Sequence, residues 1–469
     1  MGEAMRVSIG ATITVENPSQ ALNDWCEEHL VIPNPEYAKK VRMHFWVGNT
    51  PKTLSLYERR GNALILPFGI LRDVQHFLWG HPCTSEFPEP VEIAYGGEVP
   101  LYSYQDDAVN VVKECRYGIL QSPAGSGKTQ MGIALVMRYG RRALWLTHTA
   151  DLLNQSKARA ERYMDKRLIG TITEGKVNIG QGITFATIQT MRRLDLAQYK
   201  DLWDVIIVDE CHRVAGTPTA MTQFFKVLNS LSARHKYGLS ATVHRADGMI
   251  PATYALLGHV VHTVPDEAVK DKIMQVGIKP LGTGVKLSRE CLNTDGTINY
   301  TKLISYLCEN KERTHYIGSW IVAEADHPCL ILSDRLNHLE ALMNTLPRSM
   351  REMSVMISGK MSTKKGKAER EQAIEDMRTG RKRYLFATYS LCKEGLDIPC
   401  LSRLFMTTPQ SDYAVVVQSI GRVARVCEGK SQPVVYDFVD DFSYAVKRYK
   451  QRLRHYRKAG AYLCEEVME

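Results

Sequence analysis

The sequence predicts an α/β protein in which two parallel-sheet domains stand in tandem behind a small α+β domain. Three observations carry this. Short apolar strands alternate with helical segments twice along the chain, first between Leu101 and about Pro265 and again from Cys329 to Phe438, the rhythm of parallel sheets covered on both faces. A glycine-rich turn, Gln121-Ser122-Pro123-Ala124-Gly125-Ser126-Gly127-Lys128-Thr129, joins an apolar run to a helical pattern from Met131 to Arg138. The length of 469 residues exceeds what one hydrophobic core usually serves.

Residues 1–95 read as the α+β domain. Ser19 is placed to cap a helix whose Leu22, Trp25, Cys26, His29 and Leu30 fall on one face. Thr53–Tyr57 and Ala63–Leu66, separated by Arg59-Arg60-Gly61-Asn62, read as a hairpin. Phe45, Trp46 and Phe68 are expected in its core rather than as exposed stacking platforms. The stretch from His81 to Gly97 is rich in Pro, Glu and Gly and is the expected linker. Residues 96–265 form the first parallel-sheet domain, with strands at Ala143–Thr147, Ile183–Thr187, Val205–Val208 and Lys236–Leu239. Residues 266–442 form the second, with strands at Cys329–Ser333, Ser354–Ile357, Arg383–Ala387, Arg403–Thr407 and Val434–Phe438, and with an irregular connector over 266–314 that carries strands or a small insertion. Residues 443–469 read as a basic C-terminal helix.

Composition excludes several classes. No apolar run approaches the roughly 20 residues of a membrane span, and no basic-then-apolar leader opens the chain, so a cytoplasmic location without membrane partners is expected. Eleven cysteines are scattered with no CxxC pair, against a disulfide framework or a zinc module. The net charge of +9 is uneven, with basic residues crowding Lys360–Arg383 and Lys447–Lys458. Such clusters suit a polyanion, although a solvated helix face is the commoner origin of a charge run.

Chemistry is concentrated in two places. In the glycine-rich turn, successive backbone N–H groups and a helix N-terminus favour an anion; Lys128 can reach the β/γ-phosphates and the Thr129 hydroxyl can hold Mg²⁺. Ser122 replaces the usual first glycine with another small residue. Downstream, Val205-Ile206-Ile207-Val208 runs into Asp209-Glu210-Cys211-His212, two carboxylates at the carboxyl end of a buried strand, where open α/β sheets build their sites. Asp209 is expected to hold Mg²⁺ and Glu210 to orient or deprotonate the attacking water. Adjacent Cys211 and His212 have no partner pair and are not read as a zinc site.

From these residues on, the chain resembles superfamily 2 helicases and translocases over nearly all of residues 100–440. Tyr104-Gln105 resembles the adenine-reading motif, although Tyr102 and Ser103 depart from its usual spelling. Thr147 to Gln155 and Thr187-Ile188-Gln189-Thr190 resemble strand-contacting motifs. Ser240-Ala241-Thr242 resembles the motif that couples ATP to nucleic acid, and the following Val243 to Gly248 is similar to XPB-like translocases. Ala387-Thr388 through Glu394-Gly395-Leu396-Asp397-Ile398-Pro399 and Gln418-Ser419-Ile420-Gly421-Arg422-Val423-Ala424-Arg425 resemble the last two motifs.

The resemblance implies two RecA-like domains with ATP held by Gln105, Gly125, Ser126, Gly127, Lys128, Thr129, Gly395, Asp397 and Gln418. Arg422 and Arg425, at i and i+3 of an expected helix, would reach the γ-phosphate. Thr149, Thr187, Thr190, Ser333 and Thr388 would grip a phosphate backbone, and Ser240 and Thr242 would couple the two events. The implied activity is ATP-dependent movement on double-stranded or branched DNA without sequence specificity. Asn34-Pro35 through Asn49, the hairpin, and Leu66-Pro67-Phe68-Gly69-Ile70-Leu71 resemble the front end of UvsW-type phage helicases, which remodel branched DNA. An RNA helicase and the motor subunit of a larger nuclease or repair assembly are the alternatives.

Overall fold

In a computed structural model, residues 4–123, 125–214, 217–241, 248–269, 273–358, 364–392, 396 and 398–464 are described. The chain divides into two compact units. One comprises residues 1–123 and 127–265, the other residues 124–126 and 266–469.

The first unit holds two large sheets and a two-stranded one. Its N-terminal sheet has five strands in the order Glu58–Arg60, Ala63–Pro67, Thr12–Glu16, Arg6–Ile9 and Cys83–Ser85. Ser19 caps the helix Gln20–His29, accepting from the N–H of Leu22 at 3.3 Å. Leu22 and Cys26 are buried beneath it. The hairpin is shorter than expected: Arg60 pairs with Ala63 across Gly61-Asn62, with Gly61 at φ +59°, as a tight loop demands. Thr53–Ser55 pairs instead with Val31–Pro33. The stretch expected as linker also supplies an edge strand, Cys83–Ser85, parallel to Arg6–Ile9.

The N-terminal sheet shares its core with the parallel sheet beside it. Ile13, Val15, Leu64 and Leu66 join Met221, Met249, Ala252 and Ala255 in one apolar cluster. The fully buried Lys236 crosses this seam, its ammonium donating to the carbonyls of Ala11 at 3.0 Å and Leu228 at 2.9 Å. Burial pushes its pKa down to about 7. At Gly69 a Cβ would strike the backbone of Tyr254, Leu257 and Gly258, so only glycine permits this approach.

Phe68 is buried as expected, but Phe45 and Trp46 are 60% and 88% exposed. The expectation that they are core residues is corrected. The helix Pro35–Arg42 buries none of its residues, so it does not carry the turn that follows it into a core.

The first parallel sheet has eight strands in the order Lys176–Asn178, Ile169–Thr173, Ile183–Thr187, Ala143–Thr147, Val205–Asp209, His235–Ser240, Tyr117–Gln121 and Val260–Thr263. Every pairing is parallel except that of the outermost strand, Lys176–Asn178.

The second unit carries a seven-stranded, all-parallel sheet in the order Ser354–Ile357, Tyr384–Thr388, Cys329–Ser333, Arg403–Met406, Val434–Val439, Gly277–Gly282 and Tyr462–Leu463. The supposed connector is therefore structural. Gly277–Gly282 is an interior strand and is followed by the helices Tyr300–Glu309 and Lys311–Ala323. Pro280 is tolerated because Tyr462–Leu463 pairs only with Gly277 and Ile278, leaving no partner strand at the missing N–H.

The basic tail is the helix Ser443–Lys458, and one side of it is bound into this sheet. Arg452, 1% exposed, donates to both carboxylate oxygens of Asp437 at 2.8 and 2.7 Å and to the Gln410 carbonyl at 2.9 Å. Tyr456 Oη donates to the same carboxylate at 2.6 Å. A second buried pair joins Arg313 to Asp440 at 2.7 Å. Removing one member of such a pair strands the other charge in a dry interior. Arg452→Met should therefore cost about 3–5 kcal/mol, read as a lower guanidinium midpoint for the second unit. Joining it to Asp437→Leu should recover most of that loss, because the stranded carboxylate is then gone.

Candidate ATP site and its partner motifs

Parallel register puts the chemistry on one edge of the first sheet. Thr187 lies beside Thr147, Asp209 beside Leu239, and Ser240 beside Gln121, so these strands end level with one another. Successive crossovers deliver one motif to each of the carboxyl ends.

After the strand Tyr117–Gln121 the chain turns through Gly125 and Gly127, at φ +86° and +84°, before the helix Lys128–Tyr139. Both glycines adopt the left-handed conformation that lets successive N–H groups converge on an anion. Ser126 is buried and Thr129 is second in the helix. The Lys128 ammonium folds back to within 3.4 Å of the Ser122 and Pro123 carbonyls. Gln105 is buried beside this turn, and its Nε2 occupies the space a Cβ on Gly127 would need. Its Oε1 accepts from the N–H of Tyr102 at 2.9 Å, and Tyr102 and Tyr104 stack with centroids 6.0 Å apart. The fold thus brings Gln105 and Gly127, from separate motifs, into contact.

Asp209 ends its strand almost fully buried. Its carboxylate accepts from Ser156 Oγ at 3.2 Å and from the N–H of Glu210 at 3.0 Å. Burial first, and then the neighbouring Glu210 charge, push its pKa up to about 7, while the Lys128 ammonium pulls the other way. A desolvated carboxylate opposed by one lysine and one like charge suits a divalent cation, so the donor set fits Mg²⁺. Glu210 has φ +49°, a left-handed conformation that is uncommon for residues other than glycine and is concentrated at functional sites. It faces His212, whose Nδ1 lies 3.3 Å from Glu210 Oε2 and 3.0 Å from Ser240 Oγ.

Two residues of this site escape sequence reasoning. Ser156 lies on the helix Ala150–Ala160 and belongs to none of the motifs quoted above. The available signal is its spacing from Thr149, which caps that helix by accepting from the N–H of Leu152 at 3.3 Å. His212 is weighed in the sequence only as a metal ligand and rejected as one, whereas it joins the carboxylate motif to Ser240. Among the described residues no His/Cys/Asp/Glu group could hold a metal ion as a cluster, and the described cysteines are all free thiols.

The expected phosphate-gripping hydroxyls differ in exposure. Thr187 and Thr190 are buried and bonded to each other at 3.0 Å. Ser333 is buried against His338 Nδ1 at 2.9 Å. Thr388 bonds Ser390 Oγ at 2.9 Å.

In the second unit the helix Tyr413–Val423 carries Gln418 and Arg422. Arg422 donates to the Leu396 carbonyl at 3.1 Å, and Gln418 Oε1 is buried without a hydrogen-bond partner among the described residues. Arg425 does not continue the helix as expected. The helix closes at Ala424, and Arg425 lies in an antiparallel bridge with Ile273. The physical reason is Lys430, whose ammonium takes the carbonyls of Val423 and Arg425 at 2.7 Å and of Pro399 at 3.0 Å, satisfying helix-end acceptors that a further turn would have used. Thr242, the Val243–Asp247 stretch, Lys360, Glu394, Gly395 and Asp397 lie outside the described residues.

Residues 98–245 match the family described as type III restriction enzyme, res subunit, and residues 312–427 match the helicase conserved C-terminal domain. Among curated relatives, the mimivirus protein named as putative ATP-dependent RNA helicase L396 is 24% identical over 80% of this chain and 71% of its own length. The DNA 3'-5' translocase XPB2 of Sulfurisphaera tokodaii is 24% identical over 70% of this chain and 79% of its own. The ATP-dependent DNA helicase uvsW of phage T4 is 20% identical over 80% and 79%. Taken together, the two family matches and these relatives make the chain a superfamily 2 helicase, a nucleic-acid-dependent ATPase with tandem RecA-like domains and UvsW- and XPB-like relatives.

Proposed function

We propose that the protein is a DNA helicase or translocase that uses ATP and Mg²⁺ to move on or remodel duplex or branched DNA. The observation that carries the ATPase half is the convergence on one sheet edge of Lys128, the buried Asp209 and the left-handed Glu210 linked through His212 to Ser240. Mg²⁺ would be held by Asp209 and Thr129 and would neutralise phosphate charge. Lys128 binds the β/γ-phosphates, Gln105 reads the base, and Glu210 takes the proton of the attacking water. By the family resemblance, Gln418 binds the nucleotide and Arg422 and Arg425 stabilise the charge that develops on the γ-phosphate.

The nucleic-acid half is supported by charge. Lys447, Lys450, Arg454, Arg457 and Lys458 are exposed, and their spacing puts them on one stripe of a helix that contains no acidic residue. Such a stripe binds phosphates without reading bases. DNA is favoured by the names of the XPB2 and uvsW relatives, and the name of the mimivirus relative supports RNA as the second reading.

Comparing ATP turnover with fork DNA, linear duplex and single-stranded RNA tests the assignment. The greatest stimulation should come from fork or duplex DNA, and stimulation by RNA alone would replace DNA with RNA. Lys128→Ala should abolish turnover while leaving DNA affinity within a few-fold; retained turnover would show the phosphate site to be misassigned. Arg425→Ala should slow hydrolysis by about 10³-fold with ATP binding kept, the lower range for a finger arginine. DNA affinity should fall linearly in log–log plots against salt, and Lys450→Ala should make that slope shallower by roughly one.

A further inference from the structure

We propose that the turn Met43–Asn49 of the N-terminal domain is a stacking contact for unpaired bases, a nucleic-acid site separate from the helicase motifs. It rests on the reading above that nucleic acid is the substrate. The structure supplies three independent features.

The first is an apolar surface that the chain leaves uncovered. Val41, Met43, Phe45 and Trp46 are 50%, 46%, 60% and 88% exposed, large apolar side chains close together along the chain and all left to solvent.

The second is that the turn is built and anchored. At its base the buried Asn34 donates through Nδ2 to the Pro51 carbonyl at 2.8 Å and through its N–H to the Lys52 carbonyl at 3.0 Å. Its Oδ1 accepts from the N–H of Glu36 at 3.0 Å. Lys40 Nζ donates to Thr50 Oγ1 at 2.6 Å, and the Phe45 N–H donates to the Lys40 carbonyl at 2.8 Å. At the tip, a Cβ on Gly48 would come within 2.9 Å of the Trp46 ring. The indole is therefore braced against bare backbone at a glycine with φ +50°. An aromatic fixed in this way loses little entropy when a base lies on it.

The third is charge. Lys39, Arg42, His44 and Lys52, neighbours of the turn along the chain, are exposed, and the one acid of the segment, Glu36, lies 3.6 Å from Lys40. Exposed aromatics interleaved with cations suit base faces and phosphates together. Trp79, equally exposed, has no lysine or arginine from Asp73 to Ser85 and so serves as an internal control.

The test measures binding of the full chain to a fork with single-stranded arms, to a short single-stranded oligonucleotide and to blunt duplex, with tryptophan fluorescence as a second readout. Trp46→Ala should weaken fork and single-strand binding about 5- to 100-fold, the range of one lost base stack, and should change blunt-duplex binding by less than about 2-fold. Trp46→Tyr should keep most of the affinity, Trp79→Ala should bind as the unaltered protein, and quenching by the oligonucleotide should vanish in Trp46→Phe. ATP turnover of Trp46→Ala at saturating single strand should be unchanged. Unaltered fork affinity in Trp46→Ala, or an equal loss on blunt duplex, would overturn the inference and leave the helicase reading standing. So would a dimer in sedimentation that Trp46→Ala converts to monomer, since a second copy would then be the occupant. Absence of any nucleic-acid binding by the unaltered protein would remove the helicase reading and this site with it.

Discussion

A carboxylate shut away from water is the constraint around which the first unit is arranged. Asp209 ends a strand buried on both faces, and an isolated ionised carboxyl there would cost several kcal/mol. The fold lowers that cost only in part. Ser156 and the N–H of Glu210 donate to it and the Lys128 charge opposes its own, yet burial and Glu210 still hold its pKa at about 7. A site left short of positive charge in this way is primed for a cation, and the strained backbone at Glu210 keeps the second carboxylate beside the first. Stability is given up locally where chemistry needs it, and the cores of the two sheets compensate.

Parallel register makes this possible. Because the strands from Ala143, Ile183, Val205, His235 and Tyr117 pair without slippage, motifs far apart along the chain arrive level with one another. Antiparallel hairpins would have alternated them between opposite edges. Glycine enforces the same geometry from within: at Gly132 a Cβ would lie 2.6 Å from Leu239 and Trp145, so the helix that follows the phosphate turn can seat closely on the sheet.

Much of this is legible in the sequence, for identifiable reasons. Strands buried on both faces must be continuous apolar runs, so Ala143–Thr147, Ile183–Thr187 and Cys329–Ser333 are readable to the residue. Motifs written in glycine, lysine and acid at fixed spacing carry their own geometry. What escapes depends on contacts distant in sequence. Gly277–Gly282 is not located as a strand in the sequence because Pro280 and its flanking glycines break the pattern, and only the short reach of Tyr462–Leu463 makes the proline harmless. The end of the arginine helix is set by Lys430, a residue outside the motif. Phe45 and Trp46 read as core because large aromatics usually are; that the preceding helix buries nothing is a tertiary fact that local composition does not record.

The N-terminal sheet is tied to the first parallel sheet in three chemically different ways. They share one apolar cluster, the Lys236 ammonium bonds the Ala11 carbonyl, and Gly69 lies against the backbone near Tyr254. Buried apolar area alone tolerates sliding; a buried lysine held by two carbonyls does not, since a small displacement would strand its charge. The Trp46 turn therefore belongs to the same compact unit as Lys128, Asp209 and Glu210, whereas Arg422 and Arg425 belong to the other. On the proposed reading, in which each unit supplies part of the ATP chemistry, a nucleic-acid contact carried on one of them moves with that unit through the cycle. Substitutions at Trp46 would then act on what the first unit grips, while substitutions at Arg425 would act on when hydrolysis permits the grip to change.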